Sequence, residues 1–416
     1  TSGWQVVAGA FVVLMVGFGA AYSFAAFAGP LSAEFGTDHA TASLIYALCG
    51  FATFTGSAVS GPLADRIGSR RPAAIGMLLV GAGLLLAAFA RSFSQVVLCY
   101  GLLIGCGIGL AYVPALAAVQ RWFESHRGLA SGIAAGGVGV GTALVPPLAE
   151  ALLRIGDWRL AFMLSGVAAA VRGVGGSLLL ARSPESRGLA LHDPILGGQP
   201  GSRHDAGPGA GRAAAPDPTP RAPEETAAQA LRGGGFRQLY LGCLLVSLPV
   251  GLPFAHLVAF ADALPGIEWS EALGLLGLVG TASILGRVLL GALADRWGRR
   301  ATFLGCCWAL SGVTLIWALA RDATALSVFA FAFGITYGGF VALLPAFVAD
   351  RYGRASAGTM IGLLYTSRGL ALLLGPPLVG LASGLDGTGA AGAIGFAALL
   401  GVAGSALLAR LPARQP

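Results

Sequence analysis

The chain is 416 residues long, 56% hydrophobic and only 11% charged, with a mean hydropathy of +0.77 and a formal net charge of +7. Soluble domains carry about 25% charged residues, so this composition excludes a water-soluble globular protein. The basic excess does not point to nucleic acid, because the arginines sort by loop instead of gathering in a patch.

A helix crosses a bilayer in about 20 apolar residues. Twelve runs of that length follow one another, near 4–28, 40–63, 73–90, 94–119, 129–152, 159–181, 237–261, 271–294, 301–320, 324–349, 356–382 and 389–409. The first is too long and glycine-rich for a signal peptide and has no basic n-region. Cys49, Cys99, Cys106, Cys243, Cys306 and Cys307 all fall inside apolar runs without metal-ligand or disulfide spacing. They read as small core residues, and no metal or cofactor is expected. With twelve spans, Arg66, Arg121, Arg127, Arg296, Arg299 and Arg351 share one side, and only Arg91, Arg154, Arg159 and Arg321 occupy loops on the other. The positive-inside rule places the crowded side and both termini in the cytoplasm. The expected location is a bacterial inner (plasma) membrane.

Residues 183–235 are rich in Pro, Gly and Ala and read as a flexible cytoplasmic linker between bundles at 1–182 and 236–416. The two halves repeat. "GPLADRIGSR" from Gly61 corresponds to "GALADRWGRR" from Gly291, an offset of 230 residues. The same offset relates Arg121 to Arg351, Gly128 to Gly358, Gly132 to Gly362 and Pro146-Pro147 to Pro376-Pro377. A constant offset means duplicated six-helix units. In the repeated loops, Asp65 and Asp295 sit where a carboxylate can pair with a basic residue and cap a neighbouring helix. Gly61 and Gly291 allow close helix approach, while Gly68 and Gly298 permit tight turns. Arg66 and Arg296 follow the aspartates. Together with Arg121 and Arg351 these residues form the expected conformational-gating loops.

Twelve spans, a long central loop and the G-x-L-A-D-R-x-G-x-R pattern after the second and eighth spans resemble the major facilitator superfamily. That resemblance implies an all-α membrane protein whose two six-helix bundles, related by a pseudo-two-fold repeat, rock about a central site. "YSFAAFAGPLSAEFG" (22–36), residues 107–150, "SILGRVLLGALADRWGRR" (283–300) and "LLYTSRG" (363–369) are similar to the monocarboxylate transporters and the oxalate:formate antiporter family. In that branch a lysine usually stands at the position of Arg368, and animal members carry an aspartate at the position of Ser283.

The residues carry the same chemistry on their own. An arginine at mid-membrane costs about 2.5–3.5 kcal/mol on insertion scales. Arg287 lies eight residues before Asp295, about 12 Å along the helix at 1.5 Å per residue. Arg368 lies fourteen residues beyond Arg354. A guanidinium keeps its charge and offers a planar fork suited to a carboxylate. Arg287 and Arg368 are therefore the expected anion ligands, with Ser283, Tyr22, Tyr112, Tyr337 and Tyr365 as pocket residues. His256 and Asp262 are the candidates for proton coupling. Arg172 has no assigned role. The run "GGVGVG" (136–141) has no preceding strand, so it serves helix packing and not a dinucleotide. The expected function is secondary transport of small carboxylates, such as lactate, pyruvate, formate or oxalate, by exchange or with protons. The chain is expected to work as a monomer in the lipid bilayer. A drug:proton antiporter of the same fold is the alternative, and a non-transporting sensor a weaker one. No catalytic constellation supports an enzyme.

Overall fold

The computed structural model describes residues 2–37, 39–123, 126–180, 233–262, 264–353, 356–383 and 390–412. Most of the expected linker therefore lies outside the described residues. Among the described residues, helices are the only regular structure. The first half contains α1 (Ser2–Tyr22), α2 (Phe24–Phe35), α3 (His39–Ile67), α4 (Arg70–Ala88), α5 (Phe93–Val96), α6 (Gly105–Trp122), α7 (Arg127–Ile155) and α8 (Trp158–Leu179). The second contains α9 (Gly234–Ser247), α10 (Leu252–Asp262), α11 (Trp269–Trp297), α12 (Arg299–Leu319), α13 (Ala323–Tyr352), α14 (Ala357–Ser383) and α15 (Ala390–Ala409). Among the described residues, eleven stretches have the length and hydropathy of a membrane span. The 29-residue α3 completes twelve. The architecture is all-α, with two six-helix bundles.

Three expected spans are not single α-helices, for different local reasons. The first divides at Ser23, whose hydroxyl donates 2.8 Å to the Ala20 carbonyl, which also accepts from the Tyr100 hydroxyl. Side chains occupying that carbonyl compete with the backbone ladder. Beyond it α2 runs to Gly36, whose left-handed backbone (φ 64°) ends the helix. The fourth span opens with α5, passes through a π-helical stretch at Val97–Ile104, and continues as α6. The seventh breaks at Pro249, which supplies no N–H, and Pro249–Gly251 form a 3-10 turn between α9 and α10.

Within the first bundle the strongest packing is of α1 on α7, α4 on α8 and α3 on α6. Within the second it is of α11 on α13, of α12 on α15 and α13, and of α9 on α15. Small residues make these approaches possible. A Cβ at Gly76 would overlap the Gly107 carbonyl, and one at Gly286 the Ile335 carbonyl. In a bilayer helices gain no hydrophobic advantage over lipid contact, so close van der Waals packing carries their association.

The bundles meet along two seams, α3 with α14 and α7 with α11. The seams are related by the 230-residue repeat. Gly61 faces Gly358 as Gly291 faces Gly128, Ser57 lies on Gly362 as Arg287 lies on Gly132, and Phe54 lies on Gly369 as Ile284 lies on Gly139. At each rung a side chain on the glycine would collide, with the Phe54 Cβ at Gly369, with the Ile284 Cγ1 at Gly139 and with opposing backbone at the other rungs. Further from the aspartate loops the second seam opens. There a Cβ added at Gly274, Gly277 or Gly280 of α11 would meet nothing within 4 Å.

Candidate functional site: two arginines above the closed seams

The foot of each seam is held by a carboxylate. Asp65, in the last turn of α3, accepts from the backbone N–H groups of Gly358 (3.1 Å) and Thr359 (2.6 Å) and from the Thr359 hydroxyl (2.7 Å). Asp295 of α11 accepts from Gly128 (2.9 Å) and Leu129 (2.8 Å). In each case the first-turn N–H groups of a helix in one bundle are capped by an acid from the other. The positive end of the helix dipole adds to the attraction.

The supporting basic residues differ between the halves. Arg121 donates to Asp65 at 2.5 Å and to Ser69 at 3.1 Å. Its repeat counterpart Arg351 instead donates to the Pro412 carbonyl at 2.8 Å. The second seam has a further ion cluster across the bundles, in which Asp350 pairs with Arg127 and with Arg299 (3.1 Å). Gly68 and Gly298 turn the two loops with φ of 88° and 95°, a region that L side chains rarely adopt.

Above these seals lie Arg287 and Arg368, 2% and 5% exposed. Arg287 Nη1 donates to Ser283 Oγ at 3.0 Å, and its Nε–H has no partner. Arg368 Nη2 lies 3.4 Å from the Tyr337 hydroxyl. Among the described residues neither arginine forms an ion pair with an acid. Aromatic faces stand in place of one. The Arg368 guanidinium is 5.6 Å from the ring centre of Phe54, 5.7 Å from Phe340 and Tyr365, and 5.9 Å from Tyr337. Arg287 is also 5.9 Å from Tyr337, so one ring serves both cations. Desolvated cation–π contacts contribute up to about 2 kcal/mol. They stabilise charge without consuming the in-plane N–H donors, which remain available to an anion.

Tyr112 brings the first bundle into the site. Its ring stacks on Tyr365 with centres 5.0 Å apart, and its hydroxyl donates to the Tyr365 hydroxyl at 3.3 Å. Half-buried Tyr22, at the end of α1, joins Tyr112 and Tyr337 as an electrostatic neighbour of Arg287. The fold thus gathers Arg287, Arg368, Ser283, Tyr22, Tyr112, Tyr337 and Tyr365. It places Asp262 elsewhere, exposed at the far end of α10, with half-buried His256 six residues earlier. Arg172 lies on the exposed face of α8 beside Val167 and Val171, away from this cluster.

Phe54, Phe340 and Gly139 were not singled out in the sequence. Phe54 sits in "GFATFTGS", where nothing polar draws attention to it. Its signal lay in the repeat, because the 230-residue offset carries it to Ile284, one turn from Arg287. Gly139 belongs to the glycine-rich run of α7, and a Cβ there would lie 2.9 Å from Arg287 Nη1. That run therefore provides wall for a functional side chain as well as helix packing.

The sequence profile of the Major Facilitator Superfamily matches residues 9–289 and 263–416. The chain belongs to this superfamily. Monocarboxylate transporter 13 of Bos taurus is 30% identical over 413 residues, covering 99% of this chain and 89% of the relative. Monocarboxylate transporter 12-B of Danio rerio is 27% identical, covering 93% of this chain and 82% of the relative. The superfamily's proton:xylose symporter XylE superposes with a TM-score of 0.73 at 15% identity, over 99% of this chain and 96% of that one. That structural likeness establishes the fold alone. As a member of this superfamily the protein is an integral membrane transporter, like its relatives, and not an enzyme.

Proposed function

We propose that the protein is a secondary transporter of small carboxylate anions that works by alternating access. The observation that carries this reading is the pair of buried arginines around Tyr337, with the Arg287 Nε–H unsatisfied and no paired acid among the described residues. Leaving buried donors and charges unpaired is costly, so the site is built for an anion that supplies the missing acceptors. The relatives' names, monocarboxylate transporters, support the same class. An organic cation would meet two like charges here, which disfavours the drug-antiporter alternative.

The closed seams on the aspartate side and the open face of α11 fit an outward-facing state, with the Asp65 and Asp295 loops and both termini in the cytoplasm. In this reading the domains are 1–182 and 236–416, joined by a linker at 183–235, and rocking exchanges the closed and open ends. The gating residues are Gly61, Asp65, Arg66, Gly68, Arg121, Gly291, Asp295, Arg296, Gly298 and Arg351. Exchange of one anion for another needs no titrating group. We favour it because no acid among the described residues pairs with the arginines, and we retain His256 and Asp262 as proton-coupling candidates should transport follow pH. The chain is proposed to act as a monomer. The relatives are vertebrate proteins and give no support to a bacterial membrane.

Uptake of radiolabelled lactate, pyruvate, formate and oxalate into proteoliposomes preloaded with the same unlabelled acid, and into empty ones with and without a pH gradient, tests the proposal. Accumulation of at least one acid that disappears in Arg287→Ala is the expected result. Movement of cationic dyes alone would refute it.

A further inference from the structure

Arg368 is enclosed from both bundles, and the enclosure is asymmetric. Tyr337, Phe340 and Tyr365 come from its own bundle, while Phe54 of α3 crosses the seam to stand 5.6 Å from the guanidinium. Phe54 is 7% exposed, and its ring centre lies 6.1 Å from that of Tyr365. It is wedged against Gly369, where an added Cβ would meet the Phe54 Cβ at 2.8 Å. The base of the Phe54 side chain is therefore held close against α14 at this rung. At the repeat-related rung, Ile284 lies against Gly139 one turn from Arg287. Across the seam Arg368 thus meets an aromatic ring, whereas Arg287 meets Gly139, with Ile284 of its own helix packed beside it.

We propose that Phe54 is the specificity-determining residue of the site, setting the largest organic group that an acid held at Arg368 can carry. This rests on the carboxylate reading above. With its carboxylate on the arginine N–H edges, the remainder of the acid must fit beside the rings that cover the guanidinium. Phe54 fills a side contributed by the opposite bundle, its Cβ set close against the Gly369 backbone. The favoured class is a short-chain acid without a ring. Removing the Phe54 ring leaves a space of one phenyl group next to a cation, which a substrate's own phenyl group matches in size and in cation–π chemistry.

Lactate and 3-phenyllactate differ by that one ring. Their kcat/KM for uptake is compared in proteoliposomes of the full chain for wild type, Phe54→Ala, Phe54→Leu and Ile284→Ala. Pocket–substrate size matching is worth about tenfold or more. The phenyllactate-to-lactate ratio is expected to rise about tenfold in Phe54→Ala, by less in Phe54→Leu, and by under twofold in Ile284→Ala. Phe54→Leu keeps an apolar side chain against Gly369, so it reports on the ring even if the alanine variant fails to fold. Lactate uptake with an unchanged ratio in the Phe54 variants, or an equal rise in Ile284→Ala, overturns the role of Phe54 and leaves the carboxylate reading standing. Uptake of neither acid, nor of pyruvate, formate or oxalate, by the wild-type chain removes the carboxylate reading and this inference with it.

Discussion

Ser57 and Arg287 hold the same place in the duplicated unit, 230 residues apart, each lying over a glycine of the opposite bundle, Gly362 and Gly132. The scaffold at this rung is symmetric and its chemistry is not. Ser57 returns its hydroxyl to the Thr53 carbonyl at 2.9 Å, whereas Arg287 extends a charge toward Tyr337 and the site. Arg368 shows the same divergence, since its repeat counterpart is Val138. Duplication built two seams, and substitution in one half placed cations above them.

Arg287→Ala is expected to abolish carboxylate uptake, with a loss of at least about a hundredfold in kcat/KM, the scale of about 3 kcal/mol for a lost charged ligand. Arg287→Lys keeps the charge but loses the fork and is expected to retain only a small part of the activity. Initial-rate uptake measures both. Wild-type rates in Arg287→Ala would remove this residue from the site.

Ser283→Asp places an acid one helical turn from Arg287, where Ser283 now accepts its Nη1–H at 3.0 Å. At neutral pH the new carboxylate is ionised and pairs with the guanidinium, competing with substrate. Protonation as pH falls releases the arginine. Uptake by this variant is therefore expected to fall several-fold below wild type at pH 7.5 and to recover as pH is lowered toward the carboxylate range. A pH–rate comparison of the two proteins reads the difference in slope.

Asp65→Asn and Asp295→Asn weaken the caps on Gly358–Thr359 and Gly128–Leu129. Each removes a charge-assisted interaction worth about 1–3 kcal/mol, which destabilises the closed seams relative to the open arrangement. Cysteines placed on either side of a seam, in a background lacking the native six, are expected to crosslink about tenfold less in these variants. Unchanged crosslinking would mean that the caps do not hold the seams closed.

Gly139→Val sets branched carbons into the space now used by Ile284 and Arg287 Nη1. Uptake is expected to fall by at least tenfold while the protein remains monodisperse on size exclusion. Gly175→Val, on the exposed face of α8 where a Cβ meets nothing within 4 Å, is expected to leave uptake within about twofold of wild type.

The sequence by itself determined the membrane class, the twelve spans, the duplication and the two arginines. Each of these is written in one-dimensional terms: hydropathy over about 20 residues, a constant 230-residue offset, and a charge within an apolar run. The breaks at Ser23 and Val97–Ile104 were not legible, because they depend on which side chain occupies a carbonyl and on how a helix is wound. Nor did the charges reveal which cap each aspartate provides. Asp65 and Asp295 read as acids able to cap a neighbouring helix, and only the fold showed that the capped helices belong to the opposite bundle. Phe54 is the sharpest case. Beyond its place in the repeat, an apolar residue in an apolar helix has no chemical signature of its own, since its role arises from facing Arg368 across a seam closed by Gly369. Tertiary structure decided that role, because contact between the bundles depends on glycines far apart in the chain allowing two backbones to meet.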